Sequence, residues 1–250
     1  MNCPNCGAPV EVKAGKVRCR YCGWVGEVPS QKVEPTVTSE VKPAPQINEE
    51  VSVKKTNAAS DVYQDNVAGV CIIQNIEDQS SGSGFIYKSS GLVITNAHVI
   101  WYDKEERPSK NVQLIVNGKR YSAHVLNSNK PDGDDDVALL QIDSSDFFHE
   151  LTVADSKKAR NGEEVMAIGN PKGEGLSITR GILSDVERCY GDEHYFMSDV
   201  TINGGNSGGP LFNEKGQVIA ICVSARVDAD DMNFFIPINH VLEFVHRWGY

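Results

Sequence analysis

Three short motifs carry a histidine, an aspartate and a serine, the residue types that nucleophilic catalysis needs. His98 ends Thr-Asn-Ala-His, Asp136 opens Asp-Val-Ala-Leu-Leu, and Ser207 lies in Gly-Gly-Asn-Ser-Gly-Gly-Pro-Leu. Acyl transfer to a serine hydroxyl requires an imidazole to take up the proton and a carboxylate to fix the imidazole tautomer. Taken singly, the three motifs are typical of a surface histidine, a turn aspartate and a glycine turn. Taken together in this order, they predict acyl-transfer chemistry.

The acidic run that ends at Asp136 also allows a second interpretation. Asp132, Asp134 and Asp136 alternate as at the start of a calcium-binding loop. Such a loop has glycine at its sixth position and glutamate at its twelfth, where this chain has Val137 and Asp143. We therefore interpret the run as an acidic turn in which only Asp136, directly before an apolar strand, has a catalytic role.

Four of the seven cysteines lie within the first 22 residues, as two Cys-x-x-Cys pairs separated by twelve residues: Cys3, Cys6, Cys19 and Cys22. Two such turns supply the four thiolates of a tetrahedral Zn²⁺ site. Two disulfides, or a redox-active Cys-x-x-Cys, are the alternatives, and they require an oxidising compartment or a βαβ setting. The stretch resembles small zinc-ribbon modules, and with four protein ligands its zinc is expected to be structural.

The cysteine pairs and a change in composition predict three regions. Residues 1–28 are expected to form the zinc ribbon. Residues 29–60 contain four prolines and no aromatic residue, which predicts a flexible linker because such a segment cannot bury enough apolar surface to order itself. Residues 61–250 are expected to form the catalytic domain.

Short apolar or β-branched runs separated by turns dominate residues 61–250 and predict strands. The runs are Val67–Gln74, Gly84–Tyr87, Leu92–Thr95, Val112–Val116, Tyr121–Leu126, Val137–Ile142, Val165–Ile168, Ser177–Val186, Tyr195–Val200, Val218–Ser224 and Phe234–Pro237. Two sets of about six strands indicate a mainly β fold of two packed barrels. A C-terminal helix is expected after them, with Asn239 as its N-cap and Val241, Leu242, Val245 and Trp248 on its apolar face.

Charge and hydropathy exclude several classes of protein. The chain has a net charge of −10, and residues 61–250 alone hold 16 basic and 28 acidic residues. This acidity argues against nucleic-acid binding, because the phosphate backbone is bound by basic surfaces. No apolar run reaches the roughly 18–20 residues of a membrane span. An odd number of cysteines and an N-terminus without signal-peptide features predict a reducing, cytoplasmic location.

Seven segments between about Val67 and Val245 resemble HtrA (Deg)-type trypsin-like serine proteases. They are Gly82-Ser-Gly-Phe-Ile, Thr95-Asn-Ala-His-Val, Asp136-Val-Ala-Leu-Leu, Ala167-Ile-Gly-Asn-Pro, Thr179-Arg-Gly-Ile-Leu-Ser, Gly204-Gly-Asn-Ser-Gly-Gly-Pro-Leu and Gly216-Gln-Val-Ile. The resemblance implies a chymotrypsin-like double β-barrel. It also implies that Ser207 is the nucleophile, His98 the general base and Asp136 its orienting carboxylate. The N–H groups of Gly205 and Ser207 would form the oxyanion hole.

The resemblance also implies where specificity arises. Thr201 occupies the position at the base of the substrate pocket, where trypsin-like enzymes that bind Arg or Lys carry an acid. Ile202, Ser224 and Ala225 are expected to complete an apolar pocket for small or medium aliphatic P1 side chains. The position before the nucleophile is Asn206 rather than the aspartate that pairs with a freed N-terminus, so zymogen cleavage is not expected.

These features predict an ATP-independent serine endopeptidase for unfolded or damaged polypeptides, with no cofactor for catalysis. HtrA proteases are commonly trimers, so a homo-oligomer is expected. The chain stops thirteen residues after Pro237, so the PDZ domain of most HtrA relatives is not expected. The alternative is a protease-like domain that binds peptides or nucleic acid without turnover and uses the zinc ribbon for recognition.

Overall fold

The computed structural model describes residues 11–13, 16–18, 25–27, 59–131, 136–190, 193–225 and 232–250. The chain divides into two units, one over residues 1–51 and the other over residues 52–250.

The described part of the first unit is a small antiparallel sheet. Its strands are β1 (Glu11–Lys13), β2 (Lys16–Arg18) and β3 (Val25–Glu27), with β2 in the centre. The cysteines of the predicted zinc site, Cys3, Cys6, Cys19 and Cys22, lie outside the described residues, as does most of the predicted linker.

The first barrel of the second unit contains six strands in the closed order β10-β11-β6-β5-β4-β9. These strands are β4 (Val70–Asn75), β5 (Ser80–Lys88), β6 (Leu92–Thr95), β9 (Val112–Val116), β10 (Lys119–Ser128) and β11 (Ala138–Ile142). Between β6 and β9 the chain forms a short hairpin of β7 (Trp101–Tyr102) and β8 (Arg107–Pro108). Strand β9 buries every second side chain, as expected for a strand with one face in the barrel interior.

The second barrel also contains six strands, in the closed order β12-β13-β14-β17-β16-β15. They are β12 (Glu164–Gly169), β13 (Ser177–Tyr190), β14 (Glu193–Ser198), β15 (Pro210–Asn213), β16 (Val218–Ala225) and β17 (Asn233–Pro237). Closure removes the exposed edges that an open sheet would present.

The apolar core has three parts. One buried cluster fills each barrel, and a third takes residues from both barrels and from both α-helices, among them Phe85, Met166, Phe212 and Phe244. Residues 82–87 of β5 are all buried, because one face of this strand lines the first barrel and the other faces the second. This shared core holds the two barrels together.

Two α-helices flank the barrels. Helix α1 (Ala59–Asn66) buries Val62, and its Tyr63 hydroxyl donates to the carbonyl of Leu176 at 3.2 Å. Helix α2 (Ile238–Arg247) buries Val241, Phe244 and Val245. Neither helix of the described residues is long and apolar enough to cross a membrane.

The predicted mainly β, trypsin-like double barrel with a C-terminal helix is confirmed, and three of the local differences have a clear physical reason. Strand β15 was not predicted, because it has only four residues and directly follows the glycine-rich turn. Helix α1 was not predicted either, because its residues are mostly polar.

The third difference is the start of helix α2. The helix begins at Ile238, so Asn239 lies inside it rather than capping it. Its side chain instead accepts from the Ser156 N–H at 2.9 Å and donates to Asp155 at 2.9 Å. Trp248 follows the last helical residue and is 51% exposed, so it does not belong to the buried face.

Candidate active site

Strand pairing brings His98 and Asp136 together. Strand β6 ends at Thr95, and His98 opens a 3₁₀ turn three residues later. Asp136 lies two residues before the start of β11, and β11 pairs antiparallel with β6 so that Ala138 lies opposite Thr95. Because the end of one strand is beside the start of the next, residues 38 positions apart in sequence become neighbours.

The carboxylate of Asp136 contacts His98 twice. Its Oδ1 accepts from the His98 backbone N–H at 2.9 Å, and its Oδ2 lies 2.5 Å from the ring Nδ1. An ionised carboxylate only accepts hydrogen bonds, so this pairing places the imidazole proton on Nδ1 and leaves the Nε2 lone pair free. Asp136 is 12% exposed and His98 is 37% exposed, so the pair opens to solvent on the histidine side.

Asn96 is a member of this group that the sequence analysis did not single out. Its fully buried side chain donates from Nδ2 to the Asp136 carbonyl at 2.7 Å. The bond fixes the backbone that carries the carboxylate. Asn96 lies in the Thr-Asn-Ala-His motif, but the motif alone does not indicate that its side chain would hold the Asp136 backbone.

The second barrel supplies Ser207 on the turn before β15. The Gly208 N–H donates to the Cys222 carbonyl at 2.7 Å, and the Cys222 N–H donates to the Gly209 carbonyl at 2.8 Å, which ties the turn to β16. Gly208 has φ of +79°, and a Cβ there would collide with Thr95 and Ser83 of the first barrel. Only glycine permits this close approach between the barrels.

The Ser207 hydroxyl donates to the Val223 carbonyl at 2.8 Å. Among the hydrogen bonds of the described residues, none joins Ser207 to His98. The serine side chain therefore rests against β16 in this structure, and the contact with the imidazole requires a rotation of Ser207.

Four successive carbonyls of the serine turn, those of residues 204–207, accept hydrogen bonds. The donors are, in order, the Lys172 N–H at 2.7 Å, the Ser83 hydroxyl at 2.7 Å, the Gly209 N–H at 2.9 Å and the Ser83 N–H at 2.8 Å. The N–H groups of Gly205 and Ser207 have no acceptor within the described part of the chain. These are the two donors that the sequence analysis assigned to the oxyanion hole.

The structure describes the side chains of two of the four predicted pocket residues, Thr201 and Ile202. Thr201 is exposed, and its carbonyl accepts from the Thr179 hydroxyl at 2.8 Å. Ile202 is buried in the interior cluster of the second barrel. Ser224 and Ala225 end strand β16, but their side chains lie outside the described part of the structure. The grouping of these four residues around one pocket therefore stays a prediction.

The described residues contain no cluster of three or more metal-binding side chains. Cys71 and Cys222 are buried free thiols, and desolvation raises the pKa of both, so neither supplies a thiolate at neutral pH. Asp132, Asp134 and Asp135 of the acidic turn lie outside the described residues.

Comparison with known families agrees with this geometry. The trypsin-like peptidase domain matches residues 82–221, more than half of the chain. The chain therefore belongs to the trypsin-like peptidase family.

Within that family, the chain is similar to HtrA and DegP serine proteases. It is 33% identical over 168 residues to a putative serine protease HhoB of Synechocystis, which covers 64% of this chain and 38% of the relative. It is 40% identical over 148 residues to a probable periplasmic serine endoprotease DegP-like protein of Halomonas elongata, covering 58% of this chain and 29% of the relative. It is 37% identical over 170 residues to a probable serine protease do-like protein of Buchnera aphidicola, covering 64% of this chain and 34% of the relative. The matched part thus spans less than two fifths of each of these relatives.

Proposed function

We propose that this protein is an ATP-independent serine endopeptidase of HtrA type that hydrolyses peptide bonds in unfolded or damaged proteins. The observation that carries the proposal is the His98–Asp136 pair together with a serine turn in which two N–H groups have no acceptor among the described residues. Ser207 is the nucleophile, His98 the general base and Asp136 the group that orients it. The Gly205 and Ser207 N–H groups form the oxyanion hole.

In the first half of the proposed reaction, the Ser207 Oγ rotates away from Val223 and attacks the carbonyl carbon of the scissile peptide. Its proton passes to His98 Nε2, and the carbonyl π electrons move onto the oxygen, which the two N–H groups bind. Collapse of this tetrahedral intermediate breaks the C–N bond, and the imidazolium gives its proton to the leaving amine. An acyl ester remains on Ser207.

In the second half, a water attacks the ester carbonyl and gives a proton to the same imidazole. The ester bond to Ser207 breaks, and the serine oxygen recovers its proton from His98. The Nδ1–Asp136 contact keeps the ring in the required tautomer throughout. No ATP, metal or redox cofactor takes part in this scheme.

We propose that the enzyme prefers Val, Ala, Ile or Leu at P1. Thr201 is exposed and uncharged, and by family resemblance it matches the position where an acid would pair an Arg or Lys side chain. An unpaired cation in an apolar pocket is unfavourable by several kcal/mol. Digestion of a denatured protein such as reduced casein, followed by sequencing of the product peptides, should give cuts after aliphatic residues. A consistent preference for Arg or Lys would contradict the pocket assignment.

One observation favours the alternative, a protease-like module that binds peptides without turnover. The Ser207 hydroxyl is held by the Val223 carbonyl rather than by His98. We prefer the enzyme because catalytic hydrogen bonds in unliganded sites are often loose and form with substrate. The same digestion separates the two functions, since a binding module would produce no fragments.

We further propose that residues 1–28 form a zinc ribbon in which Cys3, Cys6, Cys19 and Cys22 bind one structural Zn²⁺. The cysteine spacing supports this, as does the position of β1 and β2 between the two pairs, with β3 after the second pair. Four thiolates fill a tetrahedral site, so the ion holds the fold and activates no water. Metal analysis of the purified protein should give one zinc per chain.

We propose a cytoplasmic location and a homotrimeric state for the whole protein. The described cysteines, Cys71, Cys189 and Cys222, are all free thiols, which supports a reducing compartment. The Halomonas relative is named periplasmic, so a chain isolated with the N-terminal cysteines oxidised to disulfides would contradict the proposed location. The trimer rests on family resemblance, and sedimentation equilibrium tests it.

A further inference from the structure

Ser83 lies in the first barrel, far from Ser207 in sequence, yet it contacts the serine turn of the second barrel. It occupies strand β5, where its neighbour Phe85 pairs with Ile94 near the end of β6. Ser83 lies beyond the part of β5 that pairs with β6. Its N–H and C=O groups point away from β4, to a side where no neighbouring strand binds them. Instead, the Ser83 N–H donates to the Ser207 carbonyl at 2.8 Å, and the Ser83 carbonyl accepts from the Thr95 hydroxyl at 2.7 Å.

The hydroxyl of Ser83 joins the serine turn to a further segment of the second barrel. It accepts from the Asn170 N–H at 3.0 Å and donates to the Gly205 carbonyl at 2.7 Å. The residue is fully buried, so water cannot replace either partner. A buried polar group that loses its partner is left with an unfavourable desolvation free energy, so both bonds hold their geometry firmly.

Gly205 is the flexible point of the oxyanion hole. Its φ of +99° is a conformation open to glycine, and a Cβ there would collide with the Asn170 carbonyl oxygen. Glycine resists rotation of its two flanking peptide planes only weakly. The plane before Gly205 carries the Gly205 N–H, and the plane after it is joined at Asn206 to the plane that carries the Ser207 N–H. If either plane turned, the two N–H groups would no longer be directed at the same substrate oxygen.

Both peptide planes around Gly205 are held through their carbonyls. The plane before it is held by the Lys172 N–H on the Gly204 carbonyl, and the plane after it by the Ser83 hydroxyl on the Gly205 carbonyl. The two restraints are linked, because the Ser83 hydroxyl also receives the N–H of Asn170, the residue that precedes the Pro171–Gly173 turn carrying Lys172.

We propose that Ser83 is a positioning residue of the oxyanion hole, whose buried hydroxyl bridges the Asn170 N–H and the Gly205 carbonyl and so keeps the Gly205 and Ser207 N–H groups directed at the substrate. The inference rests on the proposed serine endopeptidase function and deepens it. Ser83 does not touch the reacting atoms, and it acts only through the serine turn.

The consequence is a specific kinetic pattern. Loss of the hydroxyl weakens binding of the oxyanion and leaves binding of the ground-state peptide unchanged, because the oxyanion exists only in the tetrahedral states. Direct removal of one oxyanion donor in a serine protease reduces kcat by roughly 10²–10³-fold. Misplacement of the donors is a smaller defect, so we expect a fall in kcat on the order of 10- to 100-fold for Ser83→Ala, with KM within about twofold.

The test compares full-length parent protein, Ser83→Ala and Ser83→Cys. The matched control is Ser156→Ala, which removes another buried hydroxyl, one that accepts from the Asn239 N–H at 3.2 Å against helix α2. Each protein is assayed for kcat and KM on one short peptide. Each is also titrated with a trifluoromethyl ketone of the same sequence, which forms a tetrahedral oxyanion on serine, and with the product peptide, which does not.

For Ser83→Ala we expect equal losses in kcat and in affinity for the trifluoromethyl ketone, with unchanged affinity for the product peptide. The kcat and the ketone affinity of Ser83→Cys, whose thiol is a weaker donor, should lie between those of Ser83→Ala and the parent. If Ser83→Ala does not fold, Ser83→Cys alone tests the inference. The control should keep the parent's kcat.

Three results would overturn the inference: parent-like kcat in both Ser83 variants, a loss of kcat without loss of ketone affinity, or the same loss in Ser156→Ala. A parent protein that is folded but cleaves nothing would instead refute the proposed function itself.

Discussion

The Ser207 side chain makes a single described hydrogen bond, to the Val223 carbonyl, while the position of its backbone is fixed by Ser83 and by β16. Removing the hydroxyl therefore leaves the turn in place. The chemistry of this residue and the architecture around it can be separated by substitution, which makes single-residue tests informative.

The variant Ser207→Ala should lose proteolysis without losing its fold. The covalent path disappears with the γ-oxygen, and in comparable triads this reduces the rate on the order of 10⁴–10⁶-fold. Cleavage of casein and circular dichroism, measured on the same preparation, check both parts. Parent-like digestion by the variant would place the nucleophile elsewhere.

Residue types and motifs predicted His98, Asp136 and Ser207 as one group, since each lies in a distinctive local sequence. The structure pairs His98 with Asp136, and the contact of Ser207 with the imidazole stays a prediction. The roles of Ser83 and Asn96 were not predictable in the same way. Ser83 acts on a residue 87 positions away through a side-chain hydroxyl, and nothing in its local sequence specifies that partner. Such roles depend on the contact between the barrels, which only the folded chain defines.

At the scale of elements, an ionic network fixes the segment that follows His98. Glu77, in the turn between β4 and β5, contacts Arg107 of β8 through both carboxylate oxygens, at 3.0 and 3.1 Å. It also accepts from the Ser109 hydroxyl at 3.0 Å and from the Lys110 N–H at 2.7 Å. The hydrogen bonds from Arg107 are the main reason that the pKa of Glu77 is lowered to about 2 from an ordinary value near 4.5.

This network predicts a pH dependence of stability. Because the folded-state pKa of Glu77 is depressed, its contribution is fully present above about pH 4.5 and is lost as the pH falls toward 2. The variant Glu77→Gln should therefore have a lower urea midpoint than the parent at pH 7, and the difference should shrink as the pH approaches 2.

Asp78→Asn is the control for the Glu77 experiment, since the Asp78 carboxylate makes no hydrogen bond within the described part of the chain. Its urea midpoint should follow that of the parent at each pH. A Glu77→Gln difference that stays constant from pH 7 to pH 2 would show that the loss does not depend on the charge of Glu77.

The strands show how well the pattern of apolar residues predicts individual elements. Leu92–Thr95 and Val112–Val116 were predicted with the bounds that the structure has, because both are apolar or alternating runs between clear turns. Strand β15 and helix α1 were missed, since their formation depends on the neighbours they pack against. Asn239 is a residue type common at helix N-caps, but its side chain hydrogen-bonds to Asp155 and Ser156 instead.

At the scale of the whole molecule, two barrels share one core. The shared cluster includes residues of both barrels and of helix α1, whose Val62 is almost completely buried. The residues of the proposed triad are divided accordingly, with His98 and Asp136 in the first barrel and Ser207 in the second. Residues 52–250 therefore contain every group that the proposed reaction uses.

We expect a truncated protein of residues 52–250 to cleave a short peptide as fast as the full chain. The variant Cys3→Ser/Cys6→Ser should lose its zinc and keep the same activity, because a structural ion with four protein ligands has no position for a substrate or water. Peptide kinetics and metal content check the two statements. A truncated protein that is folded but inert would mean that the N-terminal unit helps to assemble the active site.

The central claim is that Ser207 is an activated nucleophile, and labelling with a fluorophosphonate probe tests it most directly, because the probe forms a stable bond only with a serine whose hydroxyl is activated. Mass spectrometry of the labelled parent should find the adduct on the peptide that contains Ser207. Labelling should be abolished in Ser207→Ala and strongly slowed in His98→Gln. A folded parent that remains unlabelled, or equal labelling of the parent and Ser207→Ala, would contradict the account.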